Sequence, residues 1–293
     1  MNHTNYYCIA DFCFSVSGTL DLDNVLPTFA AFRIKPCREE DRLFVVNVLS
    51  QLPEIMDDSM EVETSDNDMG QVRLLETANR YCIELKYEEG RIHSMQTDKL
   101  FTAIQVQLCI EDRHLSESFS SLLRIAFSQA ILCHGGISIH ASAVAHLNRA
   151  YLFMGKSGTG KSTHASLWLS CFPDSELLND DNPIIRIQQQ TAFVYGSPWS
   201  GKTPCYKNRR YRLSGAVRLV QSKENHFMLQ DGENAFITLL PGCSAIHKDA
   251  ELYNYLCNTL IQLAAVIPVG VLLCKPDQEA ALTCEAAFKA VLA

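Results

Sequence analysis

The chain has 293 residues, of which 47% are hydrophobic and 20% are charged, and its formal net charge is −8. This composition is typical of a globular protein with one large or two modest domains, and the acidic balance argues against a general nucleic-acid binder. The charge is uneven, because residues 1–115 carry 20 acids and 10 bases whereas residues 116–293 carry 13 acids and 15 bases. The second part is therefore the better match to a phosphorylated ligand.

Three features bear on the compartment in which we expect the protein. The 12 cysteines include no Cys-x-x-Cys spacing, which predicts reduced thiols rather than a zinc site or a disulfide framework. The apolar patch Tyr6–Ala10 lacks a basic flank, so no signal peptide is expected. The uncharged stretch Leu252–Cys274 is interrupted by Pro268, which predicts a buried amphipathic helix followed by a buried strand rather than a membrane span. We expect a soluble, cytoplasmic protein.

Residues 1–113 are predicted to form a mostly antiparallel β region that accompanies the rest of the chain. Short β-like runs alternate there with glycine and proline turn signals. The predicted strands are Tyr6–Phe14, Phe29–Ile34, Leu43–Leu49, Glu61–Thr64, Gln71–Glu76, Tyr81–Tyr87 and Phe101–Ile110. Nothing in their spacing indicates catalysis, and we expect their acids on a solvated surface.

Residues 114–293 are predicted to form a domain in which helices and strands alternate, so the fold class is α/β (α+β). A helix from about Ser116 to Cys133 should end at the glycine pair that follows it. Ile137–Ala145 and Ala150–Met154 are typical of a hairpin. Further predicted elements are a helix to about Cys171, a strand ending at Asp180-Asp181, strands Ile184–Ile187, Ala192–Tyr195 and Ala216–Val220, and a closing helix–strand–helix that ends at Ala293.

The stretch from Tyr151 to Thr163 carries the strongest motif in the chain. An apolar strand runs into Gly155-Lys156-Ser157-Gly158-Thr159-Gly160-Lys161-Ser162-Thr163 and then into a predicted helix. This order is that of a phosphate-binding loop, whose glycines let backbone N–H groups point at phosphate oxygens. The positive end of the helix dipole adds to that attraction. Lys161 would reach the β- and γ-phosphates, and the Ser162 hydroxyl would bind Mg²⁺. The alternative is a glycine-rich strand-to-helix turn without a ligand.

The adjacent acids Asp180 and Asp181 follow an apolar strand, 19 and 20 residues after Lys161. Phosphoryl transfer to a hydroxyl needs a carboxylate near the metal and benefits from a second as proton acceptor. Successive side chains at a strand end diverge, so the pair can supply both. An acidic turn before Asn182-Pro183 is the alternative.

Two further features are open to functional or structural interpretation. His140 lies in a strand-like run, where a histidine is more often a packed or surface residue than a functional one. The loop Gly196–Lys202 leads into a basic stretch that includes Lys202, Arg209 and Arg210, with no acid between Asp181 and Glu224. These bases could hold transferring phosphoryl oxygens or an acidic partner, or they could form a solvated face.

The order His140, hairpin, Gly155–Ser162, Asp180-Asp181 resembles the HPr kinase/phosphorylase family, which belongs with phosphoenolpyruvate carboxykinases in a distinct phosphate-loop fold. The resemblance covers roughly residues 115–290. It implies His140 and Lys161 as active-site residues, Ser162 as a metal ligand, Asp180 beside the metal and Asp181 as the proton acceptor. The chain departs from that family at Thr163, where glutamate is usual, and has no counterpart of its further metal-binding glutamate. It resembles a divergent, HPr-kinase-related member.

We therefore expect an ATP- and Mg²⁺-dependent kinase that phosphorylates a seryl or similar hydroxyl of a small protein, peptide or metabolite. One alternative is a nucleotide-responsive binding module without chemistry, and another is the reverse phosphorylase or a carboxykinase-like reaction. No nucleic-acid or membrane partner is expected, and a homo-oligomer is left open.

Overall fold

The computed structural model describes residues 3–53, 59–67 and 70–292. The described chain divides into two compact units, with the boundary between Cys133 and His134. The helix near residues 116–133 falls in the first unit, whereas the sequence interpretation counted it with the domain 114–293. The predicted end of the last helix at Ala293 lies outside the described residues. Within the described ranges, no helix is both long enough and apolar enough to cross a membrane.

The described part of the first unit contains a mixed β-sheet and two α-helices. Its described elements are β1 His3–Ile9, β2 Phe12–Gly18, α1 Leu22–Val25, β3 Arg33–Ile34, β4 Arg42–Leu49, β5 Met60–Asn67, β6 Gly70–Glu76, β7 Arg80–Lys86, β8 Ile92–Asp98, β9 Ala103–Gln107 and α2 Leu115–Ala130. Among the described residues, the nine strands are ordered β3-β1-β2-β4-β9-β8-β7-β6-β5. The β2–β4 and β4–β9 pairs are parallel, and the other pairs are antiparallel. The unit is thus mostly antiparallel, as the alternation of runs and turns predicted.

Two of the strand predictions in this unit were wrong. The run Tyr6–Phe14 is a hairpin rather than one strand, because Ala10 and Asp11 take left-handed φ angles of 52° and 61° that suit a two-residue turn. The run Phe29–Ile34 is mostly a 3₁₀ helix, Pro27–Phe32, which starts at a proline whose fixed φ favours a helical turn. Strand β8 was not predicted, because its apolar and polar residues do not alternate cleanly.

The second unit is built around another large sheet. Its described elements are β10 Gly136–Ser138, β11 Ala141–His146, β12 Arg149–Met154, α3 Lys161–Cys171, β13 Ser175–Asp181, β14 Ile184–Gln188, β15 Thr191–Tyr195, β16 Arg210–Gln221, β17 His226–Gln230, α4 Gly232–Leu239, α5 Ala250–Val266, β18 Val269–Cys274 and α6 Gln278–Leu292. The strand order is β10-β14-β15-β16-β12-β11-β13, and β18 pairs with both β16 and β17. The structure is therefore mixed α/β with two large sheets.

The core of the second unit lies between this sheet and helices α3 and α6. Trp168 of α3, Phe153 of β12 and Phe288 of α6 are fully buried there. The ring centroids of Phe153 and Trp168 lie 5.2 Å apart, and those of Tyr151 and Phe288 also lie 5.2 Å apart. Burial of large aromatic side chains is the main source of stability in such a layer. This packing fixes α3 against β12, and so fixes the loop that joins them.

Elements α5 and β18 confirm the predicted buried helix and strand near residues 252–274. Two other predictions need correction. Strand β16 begins at Arg210 rather than at Ala216, so part of the basic stretch is strand. His140 lies in a break between β10 and β11 and not inside a strand. Before this break, β10 pairs with β14. After it, β11 pairs with β12 and β13 instead.

Candidate phosphate and proton-transfer site

The loop from Gly155 to Gly160 joins the end of β12 to the start of α3, as predicted. Gly158 and Gly160 have φ angles of 78° and 106°, a backbone region that side chains rarely adopt and glycine enters freely. Gly160 directly precedes the first residue of α3, so the free N–H groups of that helix open onto the loop. The local geometry is suited to an anion.

Lys161 is the first residue of α3, and its side chain folds back over the loop. It is buried, with a relative exposure of 9%, although Lys156, Ser157 and Gly158 beside it are exposed. Its Nζ lies 3.1 Å from the Gly155 carbonyl oxygen and 2.9 Å from His140 Nε2. Ser162 and Thr163 follow on α3 and are exposed.

His140 connects this lysine to one of the two adjacent acids. Its Nδ1 lies 2.9 Å from Asp181 Oδ1. A lysine ammonium can only donate, so Nε2 accepts and the ring carries its proton on Nδ1, which donates to the carboxylate. The backbone also holds the ring in place, because His140 N–H donates to the Gly242 carbonyl at 2.7 Å. Lys161, His140 and Asp181 thus form one continuous hydrogen-bonded chain.

Strand pairing explains why these three residues meet. Ala141, the first residue of β11, is paired with Met154 at the end of β12 and with Asp181 at the end of β13. His140 precedes Ala141, and the phosphate loop follows Met154. Three strand ends therefore bring the histidine, the loop and the acids to one edge of the sheet.

Asp180 has a different environment from Asp181. Its side chain points toward Ser142 of β11, whose hydroxyl donates to Asp180 Oδ1 at 2.5 Å. The second oxygen, Oδ2, is buried and has no hydrogen-bond partner among the described residues. A buried carboxylate oxygen without a partner is costly, and a cation would satisfy it. The unpartnered oxygen of Asp180 is therefore of the kind that a hard cation such as Mg²⁺ would satisfy.

A protein-only metal site is not found in the described ranges, since they contain no group of three or more His, Cys, Asp or Glu side chains suited to one. Mg²⁺ bound with a nucleotide needs fewer protein ligands, because it retains water and phosphate oxygens.

The loop Gly196–Gly201 is fastened against the two acids. Gly201 N–H donates to the Asp180 carbonyl at 2.7 Å, and Ser200 forms a β-bridge with Asp181. The buried Asn179 side chain organises the turn, since it accepts from Asn182 N–H at 2.8 Å and donates to the Trp199 carbonyl at 2.9 Å. Lys202 directly follows Gly201, whose backbone contacts Asp180, and its side chain is exposed.

Arg209 and Arg210 are not brought to the phosphate loop. They lie at the start of β16, which runs parallel to β12, so that Arg212 pairs with the first residue of β12 and Arg218 with the last. These two positions are six residue steps apart along β16, a rise of roughly 20 Å. The arginines are therefore at the opposite edge of the sheet from the acids.

The contacts of the basic stretch agree with a surface role. Arg209 Nη1 and Lys207 Nζ lie 3.2 Å and 2.6 Å from the carboxylate of Glu176, at the start of β13. Burial alone would raise the pKa of Glu176, but hydrogen bonds from Lys207 and Tyr211 hold it below its ordinary value. Arg210 lies over the ring of Phe193, at 5.0 Å.

Three residues of this region have contacts that were not predicted from the sequence. Ser142, Asn179 and Gln221 position the acids and the loop, and Gln221 Nε2 donates to the Gly158 carbonyl at 3.3 Å. For Ser142 a signal existed, because it lies two residues after His140 in the predicted strand Ile137–Ala145. The partners of Asn179 and Gln221 include residues that are distant in sequence, so these contacts could not be predicted from local patterns.

No family model matches the chain, and no curated protein matches it. Among solved structures, the chain is similar to the Hpr(Ser) kinase/phosphatase from Coxiella burnetii. That likeness covers 51% of this chain and 86% of the other, at 10% sequence identity and a TM-score of 0.32. It is too weak to carry any argument about activity.

Proposed function

We propose that this protein is a phosphotransferase that moves the terminal phosphoryl group of ATP to a hydroxyl group. The observation that carries the proposal is the hydrogen-bonded chain Lys161–His140–Asp181 at the mouth of a phosphate-type loop. A phosphate-binding lysine alone indicates nucleotide binding. A carboxylate linked to it through an oriented histidine also supplies a proton acceptor.

In this proposal each group of residues has a separate role, which follows from its position. The backbone of Gly155–Gly160 and the ammonium of Lys161 hold the phosphates. Asp181 accepts the proton of the attacking hydroxyl as the new P–O bond forms and the bond to the β-phosphate oxygen breaks. His140 keeps that carboxylate oriented. Lys161 faces the charge that develops on the transferred group.

Asp180 and Ser162 would hold Mg²⁺ bound with the nucleotide. The ion would neutralise phosphate charge and help to align the group that is transferred. The acceptor in this proposal is a seryl or similar hydroxyl of a small protein, a peptide or a metabolite. Lys202, exposed beside the acids, is the predicted contact to that acceptor.

The decisive experiment is label transfer from γ-labelled ATP in the presence of Mg²⁺. Purified protein is incubated with the nucleotide and a desalted cell extract, and labelled species are separated and identified. Asp181→Asn is the matched control, because it has nearly the same shape and cannot accept the proton. We expect a labelled species that depends on the wild-type protein and is lost with this variant. Tight ATP binding with no label in any species would favour the nucleotide-responsive binding module instead.

A further inference from the structure

A cavity of about 440 Å³ adjoins the phosphate loop on the side away from the acids. Gly158, Thr159 and Gly160 line it on the loop side, and His164 and Leu167 of α3 line another side. Gln221, at the end of β16, and Pro276, just after β18, close the other side. Its volume lies within the roughly 300–1,000 Å³ that is usual for small-molecule sites.

The sheet order decides what this cavity can receive. Strands β11 and β13, which bring His140 and Asp181, lie on one side of β12, whereas β16 and then β18 lie on the other. A nucleotide whose terminal phosphate faces Asp181 crosses the phosphate loop and directs its sugar and base to the opposite side. The cavity is on that side and shares Gly158–Gly160 with the loop.

We propose that this cavity binds the nucleoside part of the nucleotide, and that Gln221 selects a purine with a 6-amino group. This inference rests on the proposed binding of phosphates by Gly155–Lys161. It adds the position of the base and the residue that distinguishes adenine from guanine.

The selection follows from how Gln221 is held. Its Nε2 donates to the Gly158 carbonyl at 3.3 Å, which leaves its Oε1 as an acceptor. The amino group of adenine is a donor, whereas guanine carries an oxygen acceptor at the same ring position. An amide oxygen fixed in this way accepts from adenine and repels guanine.

The wall formed by α3 suits a flat, uncharged base. His164 is buried, its ring packs edge-on against Phe153 at 4.6 Å, and its Nε2 has no partner among the described residues. Burial lowers the pKa of His164 to about 4, so the ring is uncharged at neutral pH. Leu167 and Leu219 add apolar surface, which favours a planar aromatic group over water.

The test compares three ligands by calorimetry, each with Mg²⁺: ATP, GTP and inorganic tripolyphosphate. Wild-type protein is expected to bind ATP at least tenfold more tightly than GTP and than tripolyphosphate. Leu167→Trp places a large ring in the cavity where the base would lie, and it should reduce ATP affinity to that of tripolyphosphate, with tripolyphosphate affinity unchanged. That unchanged affinity also shows that the variant is folded.

Gln221→Ala should reduce the preference for ATP over GTP to less than threefold, and Gln221→Arg, which presents a donor, should favour GTP. Gln230→Ala is the matched control, because Gln230 pairs with the first residue of β18, at the end remote from the cavity. The preference of Gln230→Ala for ATP over GTP should equal that of the wild type.

Different failures point to different errors. If wild-type protein binds ATP, GTP and tripolyphosphate equally, or if Leu167→Trp leaves ATP affinity unchanged, the nucleoside assignment is wrong while the phosphate site stands. An unchanged ATP-to-GTP ratio in Gln221→Ala removes the role of that residue. If neither ATP nor tripolyphosphate binds, the proposed function and this inference are both wrong.

Discussion

At the scale of single residues, the two adjacent acids differ in what surrounds them. Asp181 is tied to His140 at 2.9 Å, whereas Asp180 receives a hydroxyl and keeps one buried oxygen without a partner in the described part of the chain. One position is suited to a proton acceptor and the other to a cation. The strand geometry that separates neighbouring side chains makes this division.

This difference gives the first prediction. Asp181→Asn should lower phosphoryl transfer at least a thousandfold and change MgATP affinity less than about threefold, because an amide cannot accept the proton. Asp180→Asn should instead weaken MgATP binding at least tenfold, since the amide lacks the charge that attracts the ion. Label transfer and calorimetry measure the two effects. If Asp180→Asn binds MgATP normally and cannot transfer, the roles within the pair are reversed.

His164 gives a prediction about stability and pH. Burial lowers the pKa of this histidine to about 4 in the folded protein, against about 6.5 in an unfolded chain. Between those values the unfolded state binds more protons, so the free energy of unfolding decreases as pH falls through this window. The contribution of His164 to the free energy of unfolding should decrease by about 2 kcal/mol from pH 7 to pH 5.

The measurement compares urea unfolding of wild-type protein and His164→Phe at both pH values. Phenylalanine keeps the edge-on contact with Phe153 and does not titrate, so the difference between the proteins isolates one side chain. We expect the variant to be the more stable protein at pH 5. An equal loss of stability in both proteins would show that His164 is not the titrating group.

At the scale of elements, the end of β13 and the loop Gly196–Gly201 act together. The loop donates to the Asp180 carbonyl, bridges to Asp181 and is fixed by Asn179. In the proposed reaction, rigid support of this kind would hold the Asp181 carboxylate within the narrow range of positions that phosphoryl transfer needs.

The third prediction concerns Gly201, where a Cβ atom would lie 2.7 Å from the Asp180 carbonyl oxygen. Gly201→Ala must push the loop away from the strand, so we expect at least a tenfold loss of transfer, with MgATP affinity within about threefold. Ser200→Ala is the control, since it removes a hydroxyl that donates to Thr203 and adds no atom near the acids. Normal transfer by Gly201→Ala would show that the loop does not position the carboxylates.

At the scale of the whole molecule, the sheet of the second unit has the loop Gly155–Gly160 at one edge and Arg209 and Arg210 at the opposite edge, here called the basic edge. Parallel pairing of β12 and β16 places the loop after Met154 at one edge and Arg209 and Arg210 at the other. Glu176 neutralises part of the basic edge. Charge at such a distance is largely screened at physiological salt.

The fourth prediction follows from that separation. Arg209→Lys and Arg210→Lys should each leave turnover and ATP affinity within about twofold of the wild type, because neither side chain reaches the transferred group from the start of β16. Lys202→Ala, beside the acids, is the comparison and should raise the KM for the acceptor with little change in ATP affinity. Loss of turnover in either arginine variant would mean that the basic edge takes part in transfer.

The parts of the candidate site that are local in sequence could be predicted from sequence. A strand, a glycine-rich turn and a helix follow one another in residues 151–163, and glycine's access to positive φ at Gly158 and Gly160 fixes the turn without help from distant residues. The adjacent acids at the end of β13 and the buried helix and strand near the C-terminus could be found in the same way.

Which distant residues meet the loop depends on how the strands pair, and this could not be predicted from the sequence. His140 joins Lys161 and Asp181 because β11 pairs with both β12 and β13, and Arg209 is excluded because β16 runs parallel to β12. Strand order and direction arise from non-local pairing, which leaves little trace in local patterns of polarity. For that reason the sequence determined the chemical groups of the site, and the fold determined which of them lie together.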